Sequence, residues 1–277
     1  MPVCRKCVAR RAALCPYCLA VLREWLAAYA AAWERADPGV AELFTPDATY
    51  ESHPFRDAHV GRDAIRAYWK SATATQREAR VLVGEPLVER DRVAVEWWTT
   101  MTEEKGPVTL PGVLLLELDG DECRSLREHW AYEPGRRDPF PEWGRFDPGE
   151  RGREHAERWA SRYAAAWRAG DPDAAAALYA EDVVYRSHPF RDPHRGRAGV
   201  RAYSAEAYAA ESDRTVRIGV AVAAGASAAV EYWTTFAEEG VARTLAGCAL
   251  LSFDLAGAVT RSREYWHLED GTFEPPR

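Results

Sequence analysis

From Leu22 the apolar residues recur at helical spacing, placing Leu22, Trp25, Leu26, Tyr29 and Trp33 on one face. Trp159, Tyr163 and Trp167 repeat the same Trp-x3-Tyr-x3-Trp spacing later in the chain. Each predicted helix runs into Asp-Pro, at Asp37-Pro38 and Asp171-Pro172. An Asp N-cap followed by Pro at the first helical position starts a new helix, because Pro needs no N–H there. The pattern therefore predicts short second helices over Gly39–Phe44 and Asp173–Tyr179, then strands ending at Tyr50 and Tyr185. Third helices follow Gly61-Arg62 and Gly196-Arg197, through Ile65 and Tyr68 and through Val200 and Tyr203.

Beyond these the period changes to two. Val81–Val88, Val93–Thr100, Val108–Leu118 and Arg124–Tyr132 read as long antiparallel strands. Val216–Val222, Ala228–Thr235, Arg243–Phe253 and Val259–His267 match them in the second half. The order of helix, helix, strand, helix and meander predicts an α+β class, with helices on one face of a curved antiparallel sheet.

The doubling is direct. Residues 50–68 and 185–203 are identical at 13 of 19 positions, including the shared Ser-His-Pro-Phe-Arg-Asp. Whatever both copies keep is either fold or shared chemistry. The predicted organisation is a four-cysteine segment over 1–18, repeats over 19–132 and 153–277, and a linker over 133–152. Pro and Gly crowd that linker, while its Phe140, Trp143 and Phe146 predict packing against a domain.

Bulk properties add exclusions. A net charge of −7 argues against a broad nucleic-acid surface. No apolar run reaches the ~18 residues of a membrane span, and no signal-peptide core stands at the N-terminus. A soluble, cytoplasmic protein is expected.

Cys4, Cys7, Cys15 and Cys18 form two Cys-x2-Cys pairs, the usual donors of a tetrahedral thiolate zinc site. Structural Zn²⁺ is the expected occupant, and a segment this small would depend on the metal to fold. The seven-residue spacer is short for a zinc ribbon. An iron–sulfur cluster or an unmetallated tail stays open, and Cys-Pro-Tyr-Cys alone resembles a redox motif without the βαβ context. His53, Asp57 and His59, with the same spacing from His188 to His194, form a second and weaker metal pattern.

The helix Trp-x3-Tyr-x3-Trp, the run Leu43-Phe-Thr-Pro-Asp-Ala-Thr-Tyr50, Ser-His-Pro-Phe-Arg, Gly-Arg-x3-Arg-Ala-Tyr and Glu96-Trp-Trp-Thr-Thr100 together resemble the SnoaL-like branch of the nuclear transport factor 2-like superfamily. The resemblance covers each repeat almost end to end. It implies cone-shaped α+β barrels with an internal pocket, a fold that hosts isomerases, dehydratases, epoxide hydrolases, cyclases and plain binders. It also implies pairing through the sheet, here within one chain as an intramolecular pseudo-dimer. Fold alone does not settle function.

In such a cone the concave face of the sheet lines the pocket. Glu96 and Trp98 share a face, as do Glu128 and Trp130, and all four recur as Glu231, Trp233, Glu264 and Trp266. Position 97 drifts from Trp97 to Tyr232. The retained residues are the expected lining, and a carboxylate beside Trp in a poorly solvated pocket would act as general acid or base. His53 and His188, from the repeated loop, are the natural proton shuttles, with Arg56 and Arg191 to hold a substrate oxyanion. Against this stands a structural reading in which His53 caps its loop and Arg56 pairs with Glu128. The set Glu96, Arg56 and Glu128 is only a loose analogue of the Asp-Arg-Asp set of epoxide hydrolases.

The expectation is a small-molecule pocket protein, with a cofactor-independent lyase, isomerase or hydrolase acting on a small carbonyl or hydroxyl compound. Its rivals are a non-catalytic small-molecule binder and an interaction protein anchored by its zinc segment. For the last of these, deleting residues 1–18 is expected to abolish partner binding while both repeats stay folded, which pull-down and circular dichroism check.

Overall fold

The computed structural model describes residues 16–275, with backbone alone for 16–18. Cys4, Cys7 and Cys15 lie outside the described residues, as does the Cys18 side chain. Among the described residues no helix is long and apolar enough to cross a membrane. The chain divides into two compact units between Arg145 and Phe146.

In the first unit, α1 (Pro16–Glu34) buries Leu22, Trp25, Leu26, Tyr29 and Trp33, the face given by its spacing. Asp37 Oδ1 accepts from Gly39 N at 2.8 Å and starts a 3-10 turn over Pro38–Leu43. Next come β1 (Phe44–Glu51), β2 (His59–Val60) and α2 (Arg62–Ala72). The sheet is completed by β3 (Arg77–Val83), β4 (Leu87–Glu89), β5 (Arg92–Glu103), β6 (Gly106–Asp119), β7 (Glu122–Trp130) and β8 (Glu133–Pro134). Its order is β2-β1-β7-β6-β5-β3, with β4 beside β5 and β8 beside β6. Only the β1–β7 pairing is parallel among these contacts.

The second unit repeats the plan. α3 (Gly152–Ala169) and α4 (Pro172–Ala176) precede β9 (Tyr179–Arg186), β10 (His194–Arg195) and α5 (Gly196–Ala210). Here Asp171 caps α4 by accepting from Asp173 N and Ala174 N. The meander is β11 (Glu211–Ala224), β12 (Ser227–Glu238), β13 (Val241–Phe253) and β14 (Val259–Asp270), in the order β10-β9-β14-β13-β12-β11. Both units are α+β cones with helices on a curved sheet.

The strand expected over Val81–Val88 is in fact two, β3 and β4, broken at Gly84. Gly84 is where the connecting segment crosses: a Cβ there would stand 2.6 Å from Gly144 Cα, and Glu85 N donates to Gly144 O at 2.7 Å. In the second unit β11 runs unbroken, and a Cβ on its Gly219 meets nothing within 4 Å.

The linker is shared out between the units rather than free. Residues up to Gly144 pack on the first sheet, with Trp98 against Phe140 and Trp143. Asp147 belongs to the second, pairing with Arg261 and donating its N–H to Ser227 Oγ.

A short arm after the last long strand closes each sheet in the same way. Gly135 N donates to Pro107 O, Thr109 Oγ1 donates to Gly135 O, and Arg137 N donates to Thr109 Oγ1. Trp98 Nε1 then donates to Arg137 O at 2.9 Å. In the second unit Gly271, Thr244, Phe273 and Trp233 make the four corresponding bonds. Backbone groups at a sheet margin need partners, and this latch supplies them.

Gly84→Ala is expected to destabilise the first unit by about 1–3 kcal/mol, the usual cost of overpacking against backbone. Gly219→Ala, in open space, is expected to stay within about 0.5 kcal/mol of the parent. Urea unfolding followed by tryptophan fluorescence measures both.

Candidate functional site

Register decides which side chains face inward. Trp97 stands opposite Gly112, and Gly112 opposite Trp130, so these three share the concave face with Glu128 two residues along. Glu96 pairs with Val113 and Val113 with His129, which puts Glu96 and Trp98 on the other face. The expected lining is thereby corrected: Glu128 and Trp130 face the pocket, and Glu96 and Trp98 do not. Glu96 is fully buried beneath the arm, where its Oε2 accepts from Gly144 N at 2.8 Å. The second unit gives the same result. Tyr232, Gly247 and Trp266 form the inner row, while Glu231 and Trp233 face outward. The glycine in each row is required by close approach, since a Cβ at 112 would stand 2.7 Å from the Trp97 ring and one at 247 would stand 2.6 Å from Tyr232 Oη.

The first cavity measures about 80 Å³ and is walled by Trp33, Tyr50, Tyr68, Trp69, Trp97 and Glu128, among others. Two elements converge on the carboxyl that β7 carries. Tyr29 from α1 and Tyr50 from β1 donate to Glu128 Oε1 at 3.0 and 2.6 Å, and their hydroxyls are 2.9 Å apart. Among the described residues nothing bonds Oε2, and no cation pairs with the carboxyl. Burial therefore pushes Glu128 up to about 7, with the two phenol hydrogen bonds pulling the other way. Burial, and then the neighbouring Glu128, raise Tyr29, Tyr50 and Tyr68, so these phenols remain protonated donors.

The second cavity is larger, about 210 Å³, and Glu264, Trp266 and Arg191 are among its walls. Tyr185 donates to Glu264 Oε1 at 2.9 Å and Tyr232 to Oε2 at 3.2 Å. Burial pushes Glu264 up to about 7 as well.

The repeated Ser-His-Pro-Phe-Arg-Asp loops hold the last strands in place. Trp130 Nε1 donates to Ser52 O at 2.8 Å, and Trp266 Nε1 to Ser187 O at 2.7 Å. His53 and His188 lie edge-on to those indoles, at 5.7 and 5.5 Å between ring centroids. Their Nδ1 atoms accept from Phe55 N and Phe190 N, a capping role within the loop. Burial, then Arg191, lowers His188 to about 4, leaving it neutral near pH 7. Neither histidine is among the residues walling its cavity, and Arg56 is exposed, with Nη1 donating to Phe55 O. The expected pairing of Arg56 with Glu128 is replaced by the two tyrosines. Among the described residues no cluster of His, Cys, Asp or Glu could hold a metal, the His53–His59 pattern included.

Tyr29, Tyr50 and Tyr68 and their counterparts Tyr163, Tyr185 and Tyr203 were not among the site residues expected from the sequence. Their repetition in both copies was visible. Their spacing gave no sign that Tyr29, Tyr50 and Tyr185 meet a carboxyl.

The SnoaL-like domain family matches residues 25–125 and again residues 160–262. The chain belongs to this family. It carries two SnoaL-like domains, one per compact unit. No curated protein matches the chain. Among solved structures, it is similar to a hypothetical protein of ketosteroid isomerase-like fold from Catenulispora acidiphila, in complex with trimethylamine, at 25% identity over 39% of this chain and 85% of that one, TM-score 0.37. It is also similar to the epoxide hydrolase/cyclase-like enzyme SalBIII of salinomycin pyran-ring formation, at 26% identity over 39% and 89%, TM-score 0.36. A Mycobacterium tuberculosis protein shares 21% identity over 42% and 96%, TM-score 0.39.

The SnoaL-like carboxyls carry a pH signature. Each glutamate binds its proton more tightly folded than unfolded, so its contribution is fully present below about pH 4.5 and is lost as pH rises through about 7. That shift corresponds to about 3 kcal/mol per site. The stability of the parent minus that of Glu128→Gln is expected to fall by about this amount across that window, measured by urea titration at stepped pH.

Proposed function

We propose that the first domain is an acid–base catalyst acting on a small carbonyl compound, with Glu128 as the proton-transferring group. The observation that supports this is a buried carboxyl without a cationic partner among the described residues, its pKa pushed up to about 7, facing a cavity. A base works best when its pKa lies near the working pH, because enough is ionised and the proton is still strongly attracted.

Tyr29 and Tyr50 fix the carboxyl through Oε1, which leaves Oε2 for the substrate. In this reading Oε2 takes a proton from the carbon beside the carbonyl, forming an enol or enolate. The same proton then returns to a different carbon, and the carboxylate is regenerated. Tyr68 lines the cavity and stays protonated, so it serves as the donor to the substrate oxygen as charge develops there. Donor and acceptor are both side chains, so the steps need no organic cofactor. Isomerisation is the reaction class this sequence of steps describes. The loop histidines and arginines enter as supports of the pocket rather than as proton carriers.

Conversion of cyclohex-3-enone to its conjugated isomer, followed by ultraviolet absorbance, tests the reading. Glu128→Gln is expected to abolish the domain's turnover, and Tyr68→Phe to lower it about 10²–10³-fold, as for loss of one oxyanion donor. The rate should rise with pH through about 7 as Glu128 ionises. Undiminished turnover in Glu128→Gln would sink the assignment.

A further inference from the structure

We propose that the two pockets divide the work: the first transfers a proton, and the second binds a larger, flat ring compound without proton transfer. The hydroxyl of Tyr232 makes the difference. This rests on the reading of Glu128 given above.

The two domains differ at one row of each sheet. Trp97 and Tyr232 occupy the same place, each opposite a glycine and in line with Trp130 or Trp266. An indole cannot donate from the position of a phenol oxygen, and Trp97 makes no hydrogen bond to Glu128. Tyr232 does reach its carboxyl, donating to Glu264 Oε2. With Tyr185 on Oε1, both oxygens of Glu264 already carry protein donors. Both donors on Glu128 instead share Oε1. A substrate C–H approaching Glu264 must compete with the Tyr232 hydroxyl for the second oxygen, a competition absent at Glu128.

The walls differ in the same sense. Trp69 of the first cavity packs against Tyr29 and Trp33, at 5.3 and 5.9 Å between centroids. Ser204 takes its place in the second cavity, and the loss of that indole accords with a volume of about 210 rather than 80 Å³. Also in the wall, Trp33 Nε1 donates to the neutral amide of Gln76 at 2.9 Å. The second cavity has Glu211 there, held by Trp167 Nε1 at 2.8 Å and Arg214 Nε at 3.0 Å. The result is a roomier pocket walled by Tyr163, Trp167, Tyr203 and Tyr208, with Glu211, itself paired with Arg214, in the wall. Aromatic walls of this kind favour a flat ring, which stacks on them, with a polar group left to meet Glu211.

Three measurements on the full chain test this. In cyclohex-3-enone turnover, Glu128→Gln is expected to leave less than a tenth of the parent rate; half the rate remaining would mean that the second pocket also moves protons, and would overturn the division. Absence of turnover in the parent would instead remove the underlying reading of Glu128. Trp97→Phe and Trp97→Tyr differ by one hydroxyl, and the phenylalanine variant is expected to be at least tenfold faster; equal rates in two folded variants would show that capping the carboxyl is immaterial. For the second pocket, 2-naphthol is the probe, followed by isothermal titration calorimetry. One molecule per chain should bind, and Ser204→Trp, which restores the missing indole, should abolish it. Binding that persists in folded Ser204→Trp would place the ring compound elsewhere and refute the proposal.

Discussion

Burying a carboxyl group without a cation beside it is the constraint around which each cone is arranged. Removing that charge from water is costly, and the group responds by holding its proton up to about pH 7. Its remaining hydrogen-bonding capacity must be met by neutral donors, and tyrosines supply them. In the first domain these come from α1 and β1, so the carboxyl on β7 ties the helix to two neighbouring strands of the sheet. The phenols pack edge-on and stacked with the surrounding indoles, which explains why an aromatic-rich interior and a polar centre occur together. A lysine or arginine in their place would convert the site into an ion pair and draw the carboxyl down, away from neutral pH.

Much of the architecture was open to reading from the chain. The repeat, the Asp-Pro helix starts and the strand periods all express local rules, and the elements follow them. The face of β5 was not open in the same way. Val93 through Thr99 are all buried, because helices cover one side of the strand and the arm covers the other. Alternation separates inside from outside only when one face meets water. Retention between the copies then misled in a specific way. Glu96, Trp98 and their counterparts are kept on the outward face, where Trp98 and Trp233 anchor the arm, whereas the drifting position 97 lines the pocket. Glu128 and Trp130 lay on the inner face for the reason given, strand by strand. Their tyrosine partners come from distant segments, and no spacing along one element announces such a meeting.

Duplication also frees one copy from the demands on the other. Cavity walls have changed at Trp69 and Ser204 and at Gln76 and Glu211, and the inner row has changed at Trp97 and Tyr232, while the loop–indole bonds from Trp130 and Trp266 have not. Groups that hold the cone together resist change, since losing a buried partner leaves an unsatisfied donor. Wall residues tolerate it, because an altered cavity can still be filled.

The arm changes what counts as one copy. Its glycine, threonine and tryptophan contacts recur after both sheets, so the ancestral unit of duplication reached at least to Arg137 and Phe273. Part of the segment that joins the domains is thus inherited tail, not inserted spacer. The fusion preserved an old ending in mid-chain, and the residues just beyond it, Phe140 and Trp143, now pack edge-on against Trp98 of the first sheet.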